Sequence, residues 1–200
     1  MLVLTLDLIL KVPKNLSLLV NLTHLDVLDN LFDFYEMDFT NMTQLTHLVI
    51  NGHENSGRID NQSANNALCL LHNLQDLSFE MTKLLSLPNN IGKLTSLNLR
   101  GSCLDELPES ITNLTNREVL KAFGSGFQQL PDNFDSLRGL KELELRGNCD
   151  LLTLPDSFTE LTQLRMLSVP GSDSFIRPDG YAEFLLDLEK YGCVYEESDM

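Results

Sequence analysis

The stretch from Leu140 to Asn148, LKELELRGN, reads L-x-x-L-x-L-x-x-N. Alternation of leucine with polar residues marks a short strand that buries one face, and the Gly-Asn pair closes it with a turn. The rest of the chain can be laid out as copies. Eight strand cores follow one another: Val3–Leu6, Leu25-Asp-Val27, Leu48-Val-Ile50, Leu77-Ser-Phe79, Leu97-Asn-Leu99, Leu120-Lys-Ala122, Leu143-Glu-Leu145 and Leu167-Ser-Val169. A unit of roughly 20–30 residues cannot bury its apolar side alone, so such units stack into a solenoid.

Between the later strands the linkers are regular: LPNNIGKL at Leu87, LPESITNL at Leu107, LPDNFDSL at Leu130 and LPDSFTEL at Leu154. Proline fixes φ and ends the extended segment. The polar pair after it is expected to cap a short helical turn, which buries its [IF]-x-x-L pair. The pattern is that of a leucine-rich repeat. The expected fold is an α/β solenoid with about eight short parallel strands on a concave face, short helical or irregular convex segments and a C-terminal capping helix. Repeats span residues 1–170, with a polar surface insertion at 53–66 (HENSGRIDNQSANN); residues 171–200 hold a loop, the helix and an acidic tail expected to fray. Two irregularities mark the middle of the array. Pro88 and Pro108 stand closer than Pro108 and Pro131, and Arg117 occupies the place of Leu140 and Leu164. That arginine must turn outward or pair with a neighbour such as Glu118.

The N-terminal MLVLTLDLIL lacks a basic start, carries Asp7 and is followed by no small-residue cleavage site, so it reads as a strand rather than a signal peptide. Nothing before it covers its edge, so the expectation is the C-terminal part of a longer array or a fragment of a larger protein. At the other end YAEFLLDLEKY is an amphipathic helix stopped by Gly192.

The net charge of −15 argues against nucleic acid or an anionic membrane as the main partner. Cys103 and Cys149 hold equivalent places two repeats apart, about 10 Å from the strand spacing, which is beyond the ~7 Å reach of a disulfide. The cysteine pattern therefore suits a reducing compartment. Five glycosylation sequons occur, at Asn15, Asn21, Asn41, Asn61 and Asn113, but the repeat's own N-[LM]-T generates three of them. A secreted glycoprotein recogniser is the reading they would support.

The linker-and-strand pattern resembles plant intracellular leucine-rich-repeat proteins, above all the C-terminal repeats of nucleotide-binding disease-resistance receptors, and next the plant Ras-group repeat proteins. LRGSC at 99–103 and LRGNC at 145–149 resemble that family's strand-to-turn segment, with the cysteine shifted one place. The resemblance implies recognition or regulation in immune signalling and a cytoplasmic place. The chain departs from the receptors in having no phosphate-binding loop.

Within L-x-x-L-x-L the leucines face the core and the intervening residues face the concave surface. Those positions give the candidate contact residues His24, Asp26, His47, Asn51, Asp76, Glu80, Asn98, Arg100, Lys121, Phe123, Glu142, Glu144 and Arg146. Phe123, Arg100 and Arg146 are the expected anchors, since aromatic and arginine side chains concentrate binding energy. His24 and His47 share a register and should stack about 5 Å apart. No hydrolase, zincin or C-x-x-C motif occurs, so neither catalysis nor a metal or cofactor is expected. The expected partner is another protein or a domain of the same parent polypeptide, with no small-molecule substrate. Two alternatives stand beside this: a structural segment packed on its own N-terminal domain, and a free-standing repeat scaffold without an immune role.

Overall fold

The computed structural model describes residues 3–7, 15–28, 37–51, 58–59, 68–84, 87, 94–104, 106–107, 109–114, 118–171 and 175–198. All eight expected strands are present, as β1 (Val3–Asp7), β2 (His24–Leu28), β3 (His47–Asn51), β5 (Asp76–Glu80), β7 (Ser96–Asn98), β8 (Val119–Lys121), β9 (Glu142–Glu144) and β10 (Met166–Pro170). They form one parallel sheet in the order β1-β2-β3-β5-β7-β8-β9-β10, closed at its far side by a ninth strand, β11 (Val194–Ser198). Every pairing keeps the repeat register, so Leu25, Leu48, Leu77, Leu97, Leu120, Leu143 and Leu167 stand side by side. These leucines are fully or almost fully buried. Two more strands, β4 (Arg58–Ile59) and β6 (Lys83–Leu84), make a separate parallel pair. The 53–66 insertion is thus joined to the segment after β5, while its other residues lie outside the described ones.

The convex side is built from 3-10 turns at Glu109–Asn113, Phe134–Ser136 and Asp156–Glu160. The expected side-chain caps are absent at the last two: neither Asn133 nor Pro155 makes a side-chain cap bond. The proline carbonyls serve instead, accepting from Phe134 N at 3.2 Å and Phe158 N at 2.9 Å. A turn this short leaves few free N–H groups, so the polar residues are released to tie neighbouring repeats together. Ser157 Oγ donates to the Asp132 carbonyl at 2.7 Å, and Asn133 Nδ2 donates to Thr112 Oγ1 at 3.1 Å.

Beneath these turns the rings of Phe134 and Phe158 stack at 6.1 Å. Helix α1 (Tyr181–Lys190) ends this column by laying Phe184 edge-on against Phe158 at 6.0 Å, with Tyr181 at 6.4 Å. Gly192 then reverses the chain at φ +80°, and Cys193 N closes the helix on the Leu188 carbonyl at 3.1 Å.

The acidic tail expected after Gly192 is corrected here. Residues 194–198 pair with β10 along their whole length. Cys193 is buried and Tyr195 half-buried, while Val194 and Glu196 point outward. This alternation satisfies a strand. The acids enter cross-pairs, Glu196 with Arg146 and Glu197 with Arg177.

A polar column runs through the core at the turns after β5, β7, β8 and β9. Thr82, Ser102, Ser125 and Asn148 occupy equivalent places and are 2%, 0%, 0% and 0% exposed. Asn148 satisfies its whole amide. Its Nδ2 donates to the Ala122 and Leu145 carbonyls, both at 2.7 Å, and its Oδ1 accepts from Ser125 N and Gly126 N, both at 2.9 Å. Ser125 Oγ carries the column one repeat on, donating to the Leu99 carbonyl at 2.7 Å.

Tyr181 is buried at the C-terminal end, and burial first, then the neighbouring Tyr195 hydroxyl, pushes its phenol far up. The folded state therefore holds this proton more tightly than the unfolded chain does. Its contribution is intact below about pH 10, the ordinary tyrosine value, and is lost as pH rises beyond it. Tyr181→Phe should leave neutral stability nearly unchanged, because among the described residues the hydroxyl has only the Tyr195 hydroxyl as a neighbour, and should reduce the alkaline loss. Circular dichroism between pH 9 and pH 12 checks this; an unchanged alkaline transition contradicts it.

Candidate functional site

The outward positions of the strands form three rows across the concave face. Sheet register places His24, His47, Asp76, Ser96, Val119, Glu142 and Met166 in the first row. Asp26, Val49, Ser78, Asn98, Lys121, Glu144 and Ser168 form the second, which β11 extends with Glu196. Asn51 faces Glu80 in the third. Arg100, Phe123 and Arg146 continue it, held by backbone bonds from Met81 N to the Arg100 carbonyl, Gly101 N to that of Phe123 and Gly124 N to that of Arg146, at 2.7, 2.8 and 2.9 Å. All thirteen residues expected on this surface thus share one sheet face.

At the N-terminal side the two imidazoles stack with centroids 3.9 Å apart and planes 11° from parallel, tighter than strand spacing alone suggests. Each is fixed by its preceding threonine: His24 Nδ1 lies 2.9 Å from Thr23 Oγ1 and His47 Nδ1 2.8 Å from Thr46 Oγ1. His47 Nε2 meets Asp76 Oδ2 at 2.6 Å, so the first row begins with a continuous chain of polar contacts. Among the described residues, no group of three or more His, Cys, Asp or Glu side chains is gathered as a metal ion requires.

The C-terminal side is organised by arginines. Arg100 lies over the Phe123 ring, 4.8 Å from its centroid, and its Nε stands 4.0 Å from Glu80. Glu80 also accepts a long bond from Asn98 Nδ2 at 3.5 Å. Arg146 reaches Glu144 at 3.7 Å and Glu196 at 3.0 Å. Ser168 sits between those two acids in the sheet. Ser168, though on the outward row, is only 3% exposed.

Behind Phe123 the backbone is close. A Cβ on Gly147 would lie 3.3 Å from the Phe123 ring and 3.2 Å from Gly124 N, and Gly147 has φ +73°. Gly147→Ala should cost about 1–3 kcal/mol, from left-handed strain and displacement of the ring. Urea unfolding measures it; a loss within about 0.5 kcal/mol would mean the ring gives way freely.

Sequence reading missed Glu196, whose place on this face depends on β11. The faint signal was the alternation from Cys193 to Glu196. The Glu118 carboxylate takes Lys141 Nζ at 2.6 Å; Arg117, expected to turn outward or to pair with a neighbour such as Glu118, lies outside the described residues.

Parallel strands in repeat register, leucine columns and a buried polar column at the turns define a leucine-rich-repeat protein. No protein-family model matches the chain. The rat leucine-rich repeat-containing protein 41 is 26% identical over 181 residues, which is 84% of this chain and 22% of that protein. The chain thus spans about a fifth of the curated relatives it matches. Among solved structures, the Leptospira interrogans leucine-rich-repeat protein LIC12759 superposes with TM-score 0.67 at 21% identity, over 94% of this chain and 51% of that one. The ectodomain of the Arabidopsis thaliana membrane receptor kinase GASSHO1/SCHENGEN3, solved in complex with CASPARIAN STRIP INTEGRITY FACTOR 2, superposes with TM-score 0.60 at 21% identity, over 94% of this chain and 23% of that one. At these identities the likeness is one of fold. Among the described residues no helix is long and apolar enough to cross a membrane.

Proposed function

We propose that the chain is a protein–protein interaction module that engages its partner through the concave sheet. The observation that carries this is the third row, where an aromatic ring and two arginines are fixed outward in adjacent repeats by cross-strand contacts. Side chains already held in place lose less entropy on binding. Association with CASPARIAN STRIP INTEGRITY FACTOR 2 in the receptor-kinase complex is in keeping with a protein ligand for this architecture. The L-P-x-x-[IF]-x-x-L linkers and the four free cysteines support a plant-type intracellular role in immune recognition or its regulation, with no catalytic step of its own.

A photo-crosslinking residue placed at Ser96 or Met166, on the concave face, tests the reading against one placed at the exposed, convex Asp156. In cells of the source organism the concave probes should capture a discrete protein that the convex probe does not. Capture from Asp156 alone would overturn the concave assignment. Crosslinks confined to another part of the same polypeptide would favour the structural reading.

A further inference from the structure

We infer that the concave face carries a receptor for a single carboxylate, made by Arg100 and Lys121 beside Phe123. The inference deepens the concave-face reading and rests on it. Three cations lie on the outward rows: Arg100, Lys121 and Arg146. Arg146 is committed, since two carboxylates share it. Arg100 is not. Its plane is held by the Phe123 ring and its Nε side faces Glu80 at a loose 4.0 Å, but neither terminal nitrogen has a hydrogen bond or ion pair among the described residues. Its side chain is 47% exposed. A guanidinium fixed along one face and open at its fork is preorganised for two-point contact with a carboxylate.

Lys121 lies on the neighbouring strand, on the same face. It is two residues before Phe123 on the same strand side and opposite Asn98, whose side-chain oxygen accepts from Arg100 N at 3.1 Å. Among the described residues Lys121 makes no ion pair, although Glu144 is its neighbour across the sheet. Arg100 thus stacks on the Phe123 ring, and Lys121 shares its sheet face two residues before that ring. Around them the face is acidic: Asp76 and Glu80 on one side, Glu142, Glu144 and Glu196 on the other. A strongly acidic partner would be repelled by that surround, and a purely basic one would face Arg100 and Lys121. The fitting partner is a segment that is basic overall and carries one acidic side chain, which sets its register on the repeats. Like-charge juxtaposition penalises every other register.

Two C-terminally amidated peptides bearing an uncharged BODIPY label at the N-terminus test this, Gly-Lys-Ser-Gly-Ser-Glu-Ser-Gly-Ser-Lys-Gly and its twin with Gln for Glu, by anisotropy at low salt and by NMR of the Arg100 Nε–Hε group. The Glu peptide should bind at least fivefold tighter than the Gln twin and shift the Arg100 resonance. Arg100→Gln or Lys121→Gln should each remove most of that preference. Equal affinity of the two peptides, or a preference undiminished by Arg100→Gln, would overturn the receptor. If the concave crosslinking probes still capture a partner in that case, the interaction surface stands and only the carboxylate receptor is lost.

Discussion

Replacing Asn148 by leucine is expected to lower stability by about 4 kcal/mol or more, the largest loss for any single polar residue in the described structure. The side chains are similar in size, so the loss is not a matter of volume. The amide serves two carbonyls and two backbone N–H groups in two successive repeats; three of these bonds are buried and the fourth, to Gly126 N, is part-buried. Leucine would strand all four, and a buried group left unpaired costs about 1–3 kcal/mol. Some groups will recover by relaxation or an entering water, which keeps the figure near the low end of the sum. Ser125→Ala removes one bond, to Leu99, and should cost only about 1 kcal/mol. Urea unfolding of the pair gives the ratio. Comparable losses for the two variants would mean that Asn148 acts by filling space.

Phe158→Ala should cost about 3–5 kcal/mol, and the damage should be local. Phe158 is fully buried and touches the rings of Phe134, Tyr181 and Phe184, so it joins the last 3-10 turn to α1. In a solenoid each unit is held only by its neighbours. Loss of this ring should therefore release α1 and β11 first. Hydrogen exchange should rise over residues 181–198 while β5 to β8 keep their protection. Because β11 brings Glu196 to Arg146, the same variant should loosen the far end of the concave face. Uniform loss of protection along the array would contradict a separately held C-terminal unit.

The leucine columns and the outward rows were legible in the sequence because a fixed period of apolar residues leaves little choice of register. The polar column was not. Thr82, Ser102 and Ser125 look like ordinary turn residues, and only stacking shows that they are buried one above another. The ion pair of Arg146 with Glu196 links residues far apart in the chain, through a strand that reads as an acidic terminus until it is paired with β10. The convex caps failed for a local reason: a 3-10 turn needs fewer partners than an α-helix, and proline carbonyls meet the need.

The central claim is that the C-terminal half of the concave sheet is the binding surface. The most direct measurement is the affinity of the captured partner for the wild-type chain, for Arg100→Glu/Phe123→Glu, and for the convex Asp156→Arg, each first shown to keep its circular dichroism spectrum and unfolding midpoint. The account predicts at least a hundredfold loss for the double variant and less than a twofold change for Asp156→Arg. Unchanged binding by the folded double variant would contradict it.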